Sequence, residues 1–274
     1  MFERIEVRQI GVIARKEFRD RVRNRWVWAA ALIFSLFALA IAYFGSAHQG
    51  AVGFRGIEVT IASLVSLAIY LVPLIALLLG YDAIVGERER GSLELLLSMP
   101  VTRFEILLGK YIGLAAALAT STVIGFGAGL LPLAADLGAR DVYHYAGFVL
   151  SALLMGMAFL GISLLVSVIA SDRVRASGVA IALWFFFVLI FDLLLMGALV
   201  ASQGNLGSGL FAALLMLNPA DIFRLLNIFS SEQVQSMYGL ATVVPDSLTN
   251  PMVLIGIMLG WIVVPFFIAN WRFK

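Results

Sequence analysis

The chain has 274 residues, 62% of them hydrophobic and only 13% charged, where a soluble domain carries about 25% charged residues; most of it therefore faces lipid. The absence of cysteine excludes disulfide frameworks, thiolate metal sites and cysteine nucleophiles, and the two histidines, His48 and His144, are too few for a His-based metal cluster within one chain, so no metal site and no catalytic residue are expected. The net charge of +2 and pI near 9.0 point to anionic lipid headgroups as the partner and to no nucleic acid, because the excess base sits beside apolar spans.

Residues 1–25 hold eight Lys or Arg against four Asp or Glu. Ile10, Ile13, Ala14, Phe18, Val22 and Trp26 recur at three- and four-residue spacing, which predicts an amphipathic helix along the headgroups. A six-helix transmembrane domain over 26–274 follows. A hydrocarbon core about 30 Å thick needs about 20 apolar residues per helix. Six segments qualify: Trp26–Phe44, Ile61–Val85, Ile106–Leu131, Tyr145–Ala170, Ser177–Ala201 and Met252–Trp271. The basic stretch before the first span is long for a signal sequence, and Gly45, Ser46 and Ala47 offer the only small-residue exit, so the first span is expected to be retained.

Between the second and third spans, residues 86–105 form a charged connection. Glu87 with Arg90, and Arg90 with Glu94, stand at helical pair spacing. Leu93, Leu96 and Leu97 supply an apolar edge that ends at Pro100, and Thr102 with Glu105 makes a capping box that starts the third span. A short helix held between two spans works as a lever if a partner grips it. Asp82 lies near the end of the second span and Asp192 inside the fifth. A carboxylate at mid-membrane costs about 2.5–3.5 kcal/mol on insertion scales, so Asp192 should face protein or water. It reads equally as a substrate or proton group and as a packing partner at an interface between two copies of the chain.

The connection 202–251 is the one long loop. Gln203–Gly209 is Gly-rich, Asn218 can cap a helix with Pro219 at its first position, and Ile222, Leu225, Leu226 and Phe229 make an apolar stripe. The stripe reads as a helix on the outer leaflet or against a partner protein. Gly109 with Gly113, Gly125 with Gly129 and Gly256 with Gly260 permit close helix contact, while Met155 and Met157 read as packing.

Sixteen of the 19 Lys and Arg fall on the N-terminal segment, the 86–110 connection, the 171–176 connection and the C-terminus; Arg55, Arg140 and Arg224 are the exceptions. Basic residues mark cytoplasmic flanks, so both termini are expected in the cytoplasm and 202–251 outside it.

The run Gly86-Glu-Arg-Glu-Arg-Gly-Ser-Leu-Glu94, then Leu96-Leu97-Ser98, Pro100-Val101, Arg103, Glu105 and Gly109-Lys110, resembles the signature of ABC-2-type permeases, and Ala14-Arg-Lys-Glu-Phe-Arg19 resembles their N-terminal helix. The resemblance covers most of the chain. It implies a coupling helix seated in a groove of a separate ATPase, with Glu87, Glu89, Arg90, Gly91 and Glu94 making or shaping the contact. The sequence holds no Gly-x-x-x-x-Gly-Lys-Ser/Thr loop, so ATP and magnesium are expected in that ATPase and no cofactor on this chain. Paired ATPases imply a second copy of the permease, most simply a C2 homodimer.

Within the family the general likeness is to inner-membrane permeases that support copper-site assembly of periplasmic nitrous-oxide reductase. This implies a periplasmic partner docked on 202–251. With no Cys and two His, a copper ladder through the chain is poorly supplied. That leaves mechanical transmission, or export of another compound. A carrier working without ATP through Asp192 and Asp82 is the alternative from a different class. An intramembrane enzyme finds little chemistry here, without His-Glu-x-x-His or Gly-x-Ser-x-Gly.

Overall fold

The computed structural model describes residues 6–23, 25–44, 57–131, 138–203, 207–228 and 250–273; they form helices and short turns, with no strand among them. His48, Arg55, Phe229 and the small-residue exit at 45–47 lie outside the described residues. The helices are α1 (Val7–Arg23), α2 (Trp26–Phe44), α3 (Ile57–Gly80), α4 (Val85–Glu89), α5 (Ser92–Leu97), α6 (Arg103–Leu130), α7 (Ala139–Ile169), α8 (Arg173–Phe185), α9 (Phe191–Ala201), α10 (Ser208–Leu215), α11 (Pro219–Ile228) and α12 (Pro251–Arg272). A π-turn at Phe186–Ile190 joins α8 to α9.

Among the described residues six helices are long and apolar enough to cross a membrane: Trp26–Phe44, Thr60–Glu89, Arg103–Leu130, Ala139–Ile169, Arg173–Ala201 and Pro251–Arg272. Their number is the one expected from the sequence, and each overlaps one of the six segments named there, with ends that differ by up to six residues. The most apolar window of α7 is 72% buried and that of the fifth span only 17%. Helix α7 is therefore the centre of the bundle, packed by α3, α6, α11 and α12, and the fifth span is peripheral.

Glycine decides how the first two helices meet the third span. Along α6, a Cβ on Gly109 would meet the Ile13 side chain at 2.7 Å, and one on Gly113 would meet the Ala14 carbonyl oxygen at 2.5 Å. Further along, Gly129 faces Ala38 at 2.7 Å, and Gly125 is covered by Phe34. One face of α6 thus receives α1 and then α2 at backbone distance, the geometry that small residues permit between membrane helices. The apolar stripe of α1 faces α6 as well: Ile10 is buried, and Ile13, Phe18 and Val22 pack on the core. This changes the expectation of a helix simply resting on headgroups, since its apolar face is covered by protein. Gly256 and Gly260 on α12 have open space around them.

Part of the 202–251 connection packs into the bundle. Gly209–Leu215 and Pro219–Asn227 form a pair bent by 108°, and α11 packs among α7, α12 and α3. As expected, Asn218 caps α11, its Oδ1 accepting from Ala220 N at 3.0 Å, with Pro219 in the first turn.

Candidate functional site

The second span ends in a break that positions everything after it. Its helix stops at Gly80, where a Cβ would strike Ser163 Oγ at 2.9 Å, and four turn residues lead into α4. The first backbone donors of the new helix are satisfied from α7: Ser167 Oγ accepts from Ile84 N at 2.9 Å and Val85 N at 3.1 Å. In return Arg88 donates to the carbonyl oxygens of Val168 and Ala170, the orphan acceptors at the end of α7. Side chains thereby tie α4 to the fourth span at both of its ends.

Gly91 then breaks the segment in two. Its φ of +71° lies in the left-handed region, which glycine enters without steric penalty, so α4 and α5 are separate short helices. The charge ladder expected along one continuous helix is lost for this reason. Glu87 does not pair with Arg90 but turns inward to Lys110 at 2.8 Å and Lys16 at 3.5 Å. The capping box forms as expected: Thr102 Oγ1 accepts from Glu105 N at 3.2 Å, and Thr102 N donates to Glu105 Oε2 at 2.7 Å. The other Glu105 oxygen accepts from Glu6 N, anchoring the start of α1 to the start of α6.

Behind the segment lies a connected set of charges. Lys110, 2% exposed, donates to Glu87 and, at 3.0 Å, to Glu17 of α1. Arg21 bridges Glu17 at 3.2 Å and Asp82 at 3.1 Å. Arg173, at the start of the fifth span, reaches Asp82 at 3.7 Å and Glu89 at 3.6 Å, and its backbone N donates to Glu89 Oε1 at 2.7 Å. Burial pushes the Glu17 pKa up, but Lys110 and Arg21 outweigh it and hold the carboxyl below its ordinary value. Breaking a buried pair on one side alone is strongly destabilising. Helix α1, the α4–α5 segment and the second, third and fifth spans are therefore linked through charge at one end of the bundle, here the basic end.

The residues expected to meet a partner separate into two groups. Glu87 is buried and belongs to the internal network; Glu89 is half-exposed and shared with Arg173. Arg90, Gly91 and Glu94 are exposed, together with Leu95 and Met99, while Leu93 is buried beneath them. Ser167 and Arg173 were not singled out from the sequence, and Lys110 and Glu17 entered only as part of the family resemblance, with no role of their own. Glu17 carried a usable signal, because it lies four residues after Ile13 on the apolar face of α1, where an unpaired charge is costly.

At the other end Asp192 meets Arg224 at 2.8 Å, and the same guanidinium holds Asp221 of α11 at 2.7 Å. Asp221 is 1% exposed and also accepts from Asn218 Nδ2 at 2.9 Å. Asn218 further donates to the carbonyl oxygen of Phe187, in the π-turn. The two carboxylates singled out inside the membrane are thus not brought together: Asp82 joins the basic end and Asp192 holds α11 against the fifth span. Ile222 and Leu225 are buried in the bundle, Leu226 is partly buried, and Phe229 lies outside the described residues. The stripe expected on the outer leaflet or against a partner packs instead on the chain's own helices at Ile222 and Leu225.

Comparison with known proteins agrees with this architecture. Residues 12–274 match the family described as ABC-2 family transporter protein. The chain is 46% identical over 244 residues to the probable ABC transporter permease protein NosY of Pseudomonas aeruginosa, covering 87% of this chain and 89% of that one. It is 43% identical over 270 residues to the probable ABC transporter permease protein NosY of Stutzerimonas stutzeri, covering 97% and 98%. With six apolar helices and a family match over nearly its whole length, the chain belongs to the ABC-2 family of transporter proteins.

Proposed function

We propose that this chain is the non-catalytic membrane subunit of an ATP-driven transporter of the bacterial inner membrane, with both termini and the α4–α5 segment in the cytoplasm. A separate ATPase, holding ATP and magnesium, sits against Arg90, Gly91, Glu94 and the apolar Leu95 beside them, and Glu89 borders the contact. Glu87 shapes it from behind. A second copy of the chain completes the assembly as a homodimer. The likeness to NosY supports a NosF-like ATPase, a NosD-like periplasmic protein facing the 202–251 connection, and a role in copper-site assembly of nitrous-oxide reductase.

One observation carries the coupling role. The segment is exposed on the face a partner would grip, while its inner face is tied by Lys110 to the third span, by Ser167 to the fourth and by Arg173 to the fifth. A displacement of α4–α5 therefore moves three spans through short polar contacts rather than through a loose loop. The ATP-independent alternative calls on Asp192 as a carrier group, whereas that carboxylate is in an ion pair with Arg224.

The test is co-purification with the ATPase encoded beside the chain, comparing wild type with the double variant Arg90→Glu, Glu94→Arg. Both positions are exposed, so the fold should survive. Loss of ATPase from a monodisperse membrane protein is the expected result. Full retention of the ATPase by the double variant would remove the coupling assignment.

A further inference from the structure

The peripheral position of the fifth span leaves a gap. Helix α8 leans on α3 and α7, fixed by the Trp184 indole N–H donating to the Tyr70 carbonyl oxygen at 2.9 Å, and does not close against α12. Between α7, α8 and α12 lies a cavity of about 950 Å³. Its walls are almost wholly apolar, with Leu165, Leu183 and Val264 among them, and its far end is closed by Met216 and Leu217 at the turn between α10 and α11. The one indole in the wall, Trp261, already donates to the Met216 carbonyl oxygen at 3.0 Å, so it offers no polar group to the space.

Water gains nothing in such a space, because it needs several polar partners. Hydrocarbon fills it without penalty, and the groove is reachable from the membrane since Ile169, Val179 and Val264 on its walls are exposed. The mouth at the basic end differs from the rest. There Ser171 and Arg175 line the opening. Arg175 pairs with Asp172 at 3.3 Å and donates from Nη1 to Ser171 Oγ at 3.1 Å, yet its side chain is 75% exposed, so these contacts are weak and Nη2 is left for an anion. Trp271 and Arg272 lie one turn beyond the groove residue Ile268, at the same end, with the guanidinium 4.9 Å from the ring centre. An exposed tryptophan beside a basic residue marks the headgroup level of a bilayer.

We propose that this groove is a resident site for a phospholipid: acyl chain along α7, α8 and α12, phosphate at Arg175. Occupant and groove match in both respects, apolar along the length and anionic where the single cation of the lining stands. The bound lipid fills the space where α8 stands off from α12, beside the one ring contact between the two spans among the described residues, Phe187 on Trp261 at 5.9 Å.

Native mass spectrometry of the full chain, extracted from vesicles of phosphatidylethanolamine and phosphatidylglycerol into mild detergent, tests this. Wild type retains phospholipid. Gly260→Trp fills the groove from a position with open space around its Cβ and should lose it. Arg175→Glu, at an exposed site, lowers retention about tenfold, the loss of one charge-assisted phosphate contact. Equal phospholipid retention by wild type and both variants overturns the proposal. So does a disulfide between two copies formed by Gly260→Cys, which the cysteine-free background would report cleanly, since it puts a second chain in the groove.

Discussion

Replacing Lys110 by methionine isolates the charge network behind the α4–α5 segment. Lys110 is 2% exposed and holds two carboxylates, at 2.8 and 3.0 Å. Methionine keeps the volume of the stem but removes the charge. Glu17 then retains Arg21 at 3.2 Å, whereas Glu87 retains only Lys16, at 3.5 Å and 60% exposed. The cost therefore falls mainly on Glu87, and truncating one partner of a buried pair costs about 3–5 kcal/mol. Adding Glu87→Gln removes the stranded charge, so the double variant should recover about 1–3 kcal/mol relative to additivity. The assay is thermal stability of the detergent-solubilised protein, followed as the monodisperse fraction after heating, for wild type, both single variants and the double. Lys110→Met as stable as wild type, or strictly additive effects, would refute the reading of these residues as one buried ionic unit.

Three further perturbations address other parts of the fold. Gly113→Leu puts side-chain atoms into the Ala14 carbonyl and should release α1 from α6, seen as faster proteolysis within 7–23, while Gly256→Leu meets open space and leaves the digestion pattern unchanged. Arg224→Met strands the buried Asp221 and should lower the heating midpoint more than Asp192→Asn, which leaves Arg224 paired with Asp221. The folded Glu17 pKa is lowered, so its contribution is present above the ordinary carboxylate value of 4.5 and is lost as pH falls through the folded value. Stability measured from pH 6 downward should fall less steeply in Glu17→Gln than in wild type.

The sequence made the spans legible because length and apolarity alone decide whether a helix can cross a bilayer. The capping box at Thr102 and the cap at Asn218 were legible because both are local hydrogen-bond patterns. What stayed hidden depends on contacts between distant segments. Periodicity identifies the apolar face of α1 and of α11 but not what covers it, and in both it is covered largely by the chain's own helices. A carboxylate inside a span indicates that Asp192 needs a partner, yet Arg224 lies 32 residues further along the chain, beyond α10. Glu87 and Glu94 look equivalent along a continuous helix. The left-handed Gly91 separates them, turning one into the interior and leaving the other on the surface.

The proposed seat of the ATPase is the exposed face of α5. A single cysteine at Leu95, 68% exposed in an otherwise cysteine-free protein, reports on it directly through its rate of maleimide labelling. Labelling should be fast for the chain alone and strongly slowed once the ATPase is bound, while a Val174→Cys control at the start of α8 reports any general shielding of the basic end. Equal labelling of Leu95→Cys with and without a stably bound ATPase would contradict the account, because the partner would then be seated elsewhere.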